Sequence, residues 1–151
     1  MIEIKKILFP IDFTEKSSKI SPYVLSVSDH YNSMVYVLHV VEDLSKWGGE
    51  VYLPHIPLKE YQLEPLKGAE KALERVCEEQ LQSCPNLQRL IASGDPAQEI
   101  LKIIDSEWID MVIMGTHGRK GLDHVAFGSV AENVVRISPV PVLTVNPYKI
   151  K

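Results

Sequence analysis

The sequence predicts an α/β domain built on an open, five-stranded parallel sheet with helices on both faces. Short runs rich in Val, Ile and Leu alternate along the chain with longer stretches whose apolar residues recur at helical spacing, the pattern of strand–helix–strand units. The first two runs, residues 4–11 and 34–41, are apolar almost throughout, as strands covered on both faces are. Successive runs are separated by helix-length connections, which parallel pairing requires and hairpins do not. A length of 151 residues with 45% hydrophobic content suits one domain, 1–151, whose core needs no metal or disulfide.

Each element follows from its own residues. Residues 4–11, Ile-Lys-Lys-Ile-Leu-Phe-Pro-Ile, predict the first strand, closing on Pro10. Ile20, Val24, Leu25 and Val27 mark a helix over residues 17–31 that either starts late or bends at Pro22. Met-Val-Tyr-Val-Leu-His-Val-Val, residues 34–41, is the second strand. Residues 42–57 hold Gly48, Gly49, Pro54 and Pro57 and read as a loop longer than packing requires, suited to covering something. Leu63, Leu66, Ala69, Leu73, Val76 and Leu81 then trace a helix, and residues 87–93 a third strand. Gly94-Asp95-Pro96 supplies turn, N-cap and first-position proline for a helix bearing Ile100, Leu101, Ile103 and Ile104. Residues 109–114 form the fourth strand, 129–137 the last helix, and Val140 to Val145 the fifth strand.

Composition excludes several classes of function. A net charge of −4 without runs of like charge argues against a nucleic-acid backbone or an anionic membrane as the main partner. No segment approaches a membrane span, and the first residues lack the apolar stretch of a signal peptide, so a cytoplasmic protein is expected. Cys77 and Cys84 have no metal-site or redox-motif spacing and read as ordinary thiols. Glu78-Glu79 falls on a solvated helix face, and His39 is a satisfied core or rim histidine.

The segment most charged with chemistry follows the fourth strand. Four of the eight glycines, Gly115, Gly118, Gly121 and Gly128, fall within fourteen residues, and Ser129 opens a helix directly after them. Glycine permits positive φ and lets an anion approach bare N–H groups, and a helix N-terminus adds unpaired donors and a positive dipole end. Ser129 stands where an N-cap is expected. The loop is no P-loop, since Lys120 is followed by Gly121, and it is no dinucleotide fingerprint. His117 and His124 lack zinc-ligand spacing, and no serine sits in a nucleophile elbow.

With two residues between Gly115 and Gly118, nine between Gly118 and Gly128, and Ser129 next, the segment resembles the universal stress protein family, whose nucleotide-binding members carry G-x2-G-x9-G-(S/T) here. Ile-Leu-Phe-Pro-Ile-Asp12, His39-Val40, Gly128-Ser-Val-Ala-Glu and Pro139-Val-Pro-Val-Leu extend the likeness over nearly the whole chain; residues 42–57 match no fixed pattern. The resemblance implies a Rossmann-like sheet of order 3-2-1-4-5, with the first and fourth strands side by side at the switch point where ligands bind.

The resemblance further implies that ATP binds, with Mg2+ or Mn2+. Its phosphates would lie along Gly115, Gly118, Gly128 and Ser129, its ribose at Asp12 and its adenine at backbone groups of Val40. Pro10, Met114, His117, Arg119 and Val130, beside those positions, complete the implied binding set. Read from the residues alone, Asp12 equally suits a sugar hydroxyl, a metal or a helix cap, Val40 suits core packing, and Arg119 suits either a phosphate or solvent. The implied role is a nucleotide-responsive stress or regulatory module. The alternatives are a slow ATP-hydrolysing or phosphoryl- or nucleotidyl-transfer enzyme on the same sheet, against which stands the missing P-loop lysine, and a binding module without nucleotide. In the implied order the last strand is an apolar edge, which invites a homodimer through Val140 to Val145.

Overall fold

A computed structural model describes residues 1–14, 16–42, 58–117 and 128–150, with 58–65 described by their backbone alone. The elements run β1 (Lys6–Ile11), α1 (Ser17–Tyr31), β2 (Met34–Val41), α2 (Leu58–Gln80), β3 (Leu87–Ser93), α3 (Pro96–Ser106), β4 (Met111–Gly115), α4 (Ser129–Ile137) and β5 (Val142–Val145). All five strands pair in parallel, in the order β3-β2-β1-β4-β5.

Two apolar clusters sandwich the sheet. On one face Phe9, Val35 and Val37 pack with Ile20 and Val24 of α1 and with Leu73 and Cys77 of α2. On the other, Leu8, Leu38 and Val112 pack with Ile100 and Ile104 of α3 and with Ala131 and Val134 of α4. Alternation along each strand sends neighbouring residues such as Leu8 and Phe9 to opposite clusters, which is why both central strands had to be apolar throughout.

The helix boundaries show where local signals suffice. Asp95 caps α3 by accepting the Gln98 amide at 3.1 Å, and Pro96 occupies the first turn. α1 begins at Ser17 and runs on through Pro22, which is exposed on its outer side; of the two alternatives at Pro22, a late start or a bend, the late start is not seen. A proline this close to a helix start removes a single hydrogen bond. The cap of α4 is corrected by one residue: Gly128, extended at φ −70°, is the N-cap and Ser129 is the first helical residue. β1, β4 and β5 each begin about two residues later than their apolar runs, because Ile4, Ile109 and Val140 pack against the core from just outside the ladders.

One side chain and one backbone turn shape the lower end of the sheet. Asp110 accepts the backbone N–H groups of Lys5 and Lys6 at 2.8 and 2.9 Å, tying the entry of β4 to that of β1. α3 ends with Trp108 in the left-handed region at φ 57°, while the Ile109 amide reaches back to the Ile104 carbonyl at 3.0 Å.

Candidate functional site

The site is set by β1 and β4, whose connections leave the sheet for opposite faces: β1 leads to α1 on one side and β4 to α4 on the other. Such a switch point leaves a crevice beyond the carboxyl ends of the strands. Pro10 helps open it. The Met34 amide donates to the Lys5 carbonyl and the Asp110 amide to the Lys6 carbonyl. Backbone groups of β1 therefore alternate between its neighbours, and those of Pro10 face β4. Proline has no N–H to give, and the registered β1–β4 pairs are Ile7–Met111 and Leu8–Val112, below Pro10.

On the β2 side the strand end is closed by a side chain. His39, buried and registered with Ile11, places Nδ1 2.9 Å from the Ile11 carbonyl, and the Phe13 ring lies over the imidazole with centroids 3.9 Å apart. Phe13 holds φ 60°, a conformation unfavourable for a bulky residue and stabilised here by that stack. Between them Asp12 is half-buried, and its Oδ1 accepts the Thr14 amide at 3.1 Å and the Thr14 hydroxyl at 2.7 Å. Asp12 thus turns the loop before α1; the position capping that helix is Lys16. Val40 lies one residue past the last β1–β2 pair while still registered with Ala92 of β3, and its side chain packs toward the α3–α4 cluster. Both readings of Val40 are compatible with this position, since the side chain serves the core and the backbone lies above the end of β1.

Across the crevice, Met114 is buried in the α3–α4 cluster and Gly115 ends β4. Thr116 and His117 are both buried; the Thr116 hydroxyl and His117 Nδ1 are 2.7 Å apart, and the imidazole and the Tyr148 ring meet nearly perpendicular. The Thr116 amide donates to the Val145 carbonyl, and the Gly128 amide donates back to the Thr116 carbonyl. The two ends of the glycine segment are therefore held together. Gly118, Arg119, Gly121 and His124, like residues 43–57, where a covering loop is expected from the sequence, lie outside the described residues.

α4 presents a helix N-terminus of the kind that suits an anion. Its first i→i−4 bond is donated by Glu132 to Gly128, so the amides of Ser129, Val130 and Ala131 precede the helical ladder. The N-cap residue, Gly128, has no side chain with which to cap this end. Ser129 is exposed there, Val130 packs partly into the core, and the dipole end favours negative charge. The described glycines differ in their reasons from the expectation of positive φ: Gly128 is extended, and Gly115 is small because Ile20 of α1 stands against it. Among the described glycines, Gly94 alone has positive φ.

A family model for the universal stress protein family matches residues 3–146. The chain belongs to the universal stress protein family. The relative MJ0531 of Methanocaldococcus jannaschii, also a universal stress protein, is 31% identical over 96% of this chain and 84% of its own length. The solved structure of MJ0577, from the same organism, superposes with a TM-score of 0.81 at 31% identity, covering 96% of this chain and 97% of that one. A universal stress protein from Archaeoglobus fulgidus, solved in complex with dAMP, shares the fold at a TM-score of 0.66 and 15% identity over 95% of this chain and 98% of its own. Among the described residues no helix is long and apolar enough to cross a membrane.

Proposed function

We propose that this chain binds ATP at the carboxyl ends of β1 and β4 and acts by occupancy, as a cytoplasmic, nucleotide-responsive stress or regulatory module. The observation that carries this reading is the N-terminus of α4 at Gly128 and Ser129, whose first amides precede the helical ladder, set across the switch point from Asp12. Phosphates suit the amides of Ser129, Val130 and Ala131 and the Ser129 hydroxyl, with Gly115, Gly118 and Arg119 along the same segment. Asp12 suits the ribose, and the backbone of Val40, beyond the end of β1, suits adenine. Pro10, Met114 and His117, at or just past the ends of the same two strands, suit the walls of such a site. The dAMP held by the Archaeoglobus fulgidus protein supports an adenine nucleotide as the ligand class.

Among the described residues no three His, Cys, Asp or Glu side chains converge as a metal cage. Mg2+ or Mn2+ bound with the nucleotide would neutralise phosphate charge, with Asp12 as a nearby carboxylate. The engagement of Asp12 by Thr14 supports a role as a fixed hydrogen-bond acceptor more than as a general base.

Calorimetry with ATP on the wild type and on Gly128→Val tests the site. Gly128 has ordinary extended φ, so valine is compatible with its backbone, but a branched Cβ would stand where phosphate oxygens approach. Loss of binding in a folded Gly128→Val protein is expected. Wild-type affinity in that variant would refute the phosphate assignment.

A further inference from the structure

The carboxyl-terminal tail after β5 returns across the end of β4 toward α1. Asn146 shapes the turn, its side chain accepting the Tyr148 amide at 3.0 Å and its carbonyl the Lys149 amide at 3.2 Å. Pro147 is buried, and Ile150 packs against the cluster that holds Ile20 and Val24 of α1. Between these anchors the Tyr148 ring makes two contacts. One is the His117 imidazole, edge to face with centroids 5.1 Å apart; the other is the Lys16 ammonium, 4.9 Å from the ring centroid.

His117 begins the glycine segment, and Lys16 is the N-cap position of α1, four residues after Asp12. One aromatic ring thus joins the two strand ends that border the crevice. A ring quadrupole favours a cation over its face and an edge-to-face arrangement with a second ring, so both contacts hold the tyrosine in place. The backbone adds to this: Thr116 is held to Val145 at the root of the tail and to Gly128 across the segment.

We propose that Tyr148 is a positioning residue of the nucleotide site, and that the tail is a strap which fixes the root of the glycine segment and holds the Lys16 ammonium at the crevice edge. There the ammonium supplies positive charge for a polyphosphate from the α1 side, opposite the amides of α4. Tyr148 itself need not touch the nucleotide. The site half of this proposal rests on the ATP reading above; the strap half does not.

The test compares wild type, Tyr148→Ala, Tyr148→Phe and Lys16→Gln by two measurements. Amide hydrogen exchange without nucleotide, read at Thr116 and Gly128, reports the strap. Calorimetry with ATP and AMP reports the site. Tyr148→Ala is expected to speed exchange at both amides and weaken ATP about tenfold, the loss of two ring contacts. Tyr148→Phe keeps the ring and is expected to match wild type in both. Lys16→Gln is expected to leave exchange unchanged and to weaken ATP more than AMP. Unchanged exchange in a folded Tyr148→Ala protein overturns the strap, and faster exchange with unaltered ATP affinity overturns the positioning role. Wild type that binds neither nucleotide overturns the site half together with the ATP reading, while the exchange data still decide the strap.

Discussion

Ile20 occupies the space that a side chain on Gly115 would need: a Cβ at residue 115 would stand 2.6 Å from Ile20 Cδ1. The two residues bring α1 against the end of β4 beside the crevice. Gly115→Ala is therefore expected to cost about 1–2 kcal/mol through overpacking of a methyl that must swing aside. Ile20→Val removes that Cδ1 and alone costs about 1 kcal/mol. The double variant is expected to be more stable than the sum of the singles, read from urea midpoints. Additive losses would show that the contact is relieved elsewhere.

Trp108 is 80% exposed and holds φ 57° just after the α3 carboxyl cap, the position helices usually give to glycine. The left-handed conformation costs a residue with a Cβ roughly 1 kcal/mol. Trp108→Gly is expected to raise the melting temperature and Trp108→Ala to leave it near wild type, since alanine keeps the Cβ. Equal stability of the two variants would mean that the strain is not felt.

ATP and a non-hydrolysable analogue are expected to raise the melting temperature alike, because occupancy and not turnover is the proposed signal. Micromolar affinity at millimolar nucleotide corresponds to about 4 kcal/mol of stabilisation. A phosphate-release assay run in parallel is expected to show slow or no turnover. Multiple turnover at about 1 per second, ordinary for phosphoryl transfer, would favour the enzyme reading instead.

β5 lies at the edge of the sheet, and we expect a second copy to cover it. Leu143 points outward at 36% exposure, and Val135 and Ile137 on α4 are also exposed. Val142 packs partly into the core cluster, so a charge there would test the fold as much as the edge. Leu143→Asp is the cleaner probe. Light scattering is expected to report a dimer for wild type and a monomer for Leu143→Asp at micromolar concentration; a dimeric variant would place the interface elsewhere.

Burial pushes the Cys77 thiol above its ordinary range. A pKa raised on folding means that the neutral thiol is the form the core accepts. Its contribution is fully present below the unfolded value near 9 and is lost as pH rises through the folded value. Unfolding free energy is expected to fall more steeply above pH 9 in wild type than in Cys77→Ala. Parallel slopes would show that other groups carry the alkaline loss.

The sequence by itself determined the succession of elements and the limits of those whose signals are local. Asp95 lies three residues from the amide it caps, and the near-continuous apolar run of β2 is contained within that strand, so composition and spacing suffice. The motif also marked where the α4 N-terminus would fall, to within one residue of the cap. Only the tertiary structure decided which partners those elements meet. Pro10 interrupts the β4 side of β1, His39 closes the end of β1 through Ile11, Gly115 is small for the sake of Ile20, and Tyr148 joins His117 to Lys16. Each of these depends on elements far apart in the chain being laid side by side by the crossovers. Local periodicity reports which face a residue buries, and long-range adjacency decides what it is buried against.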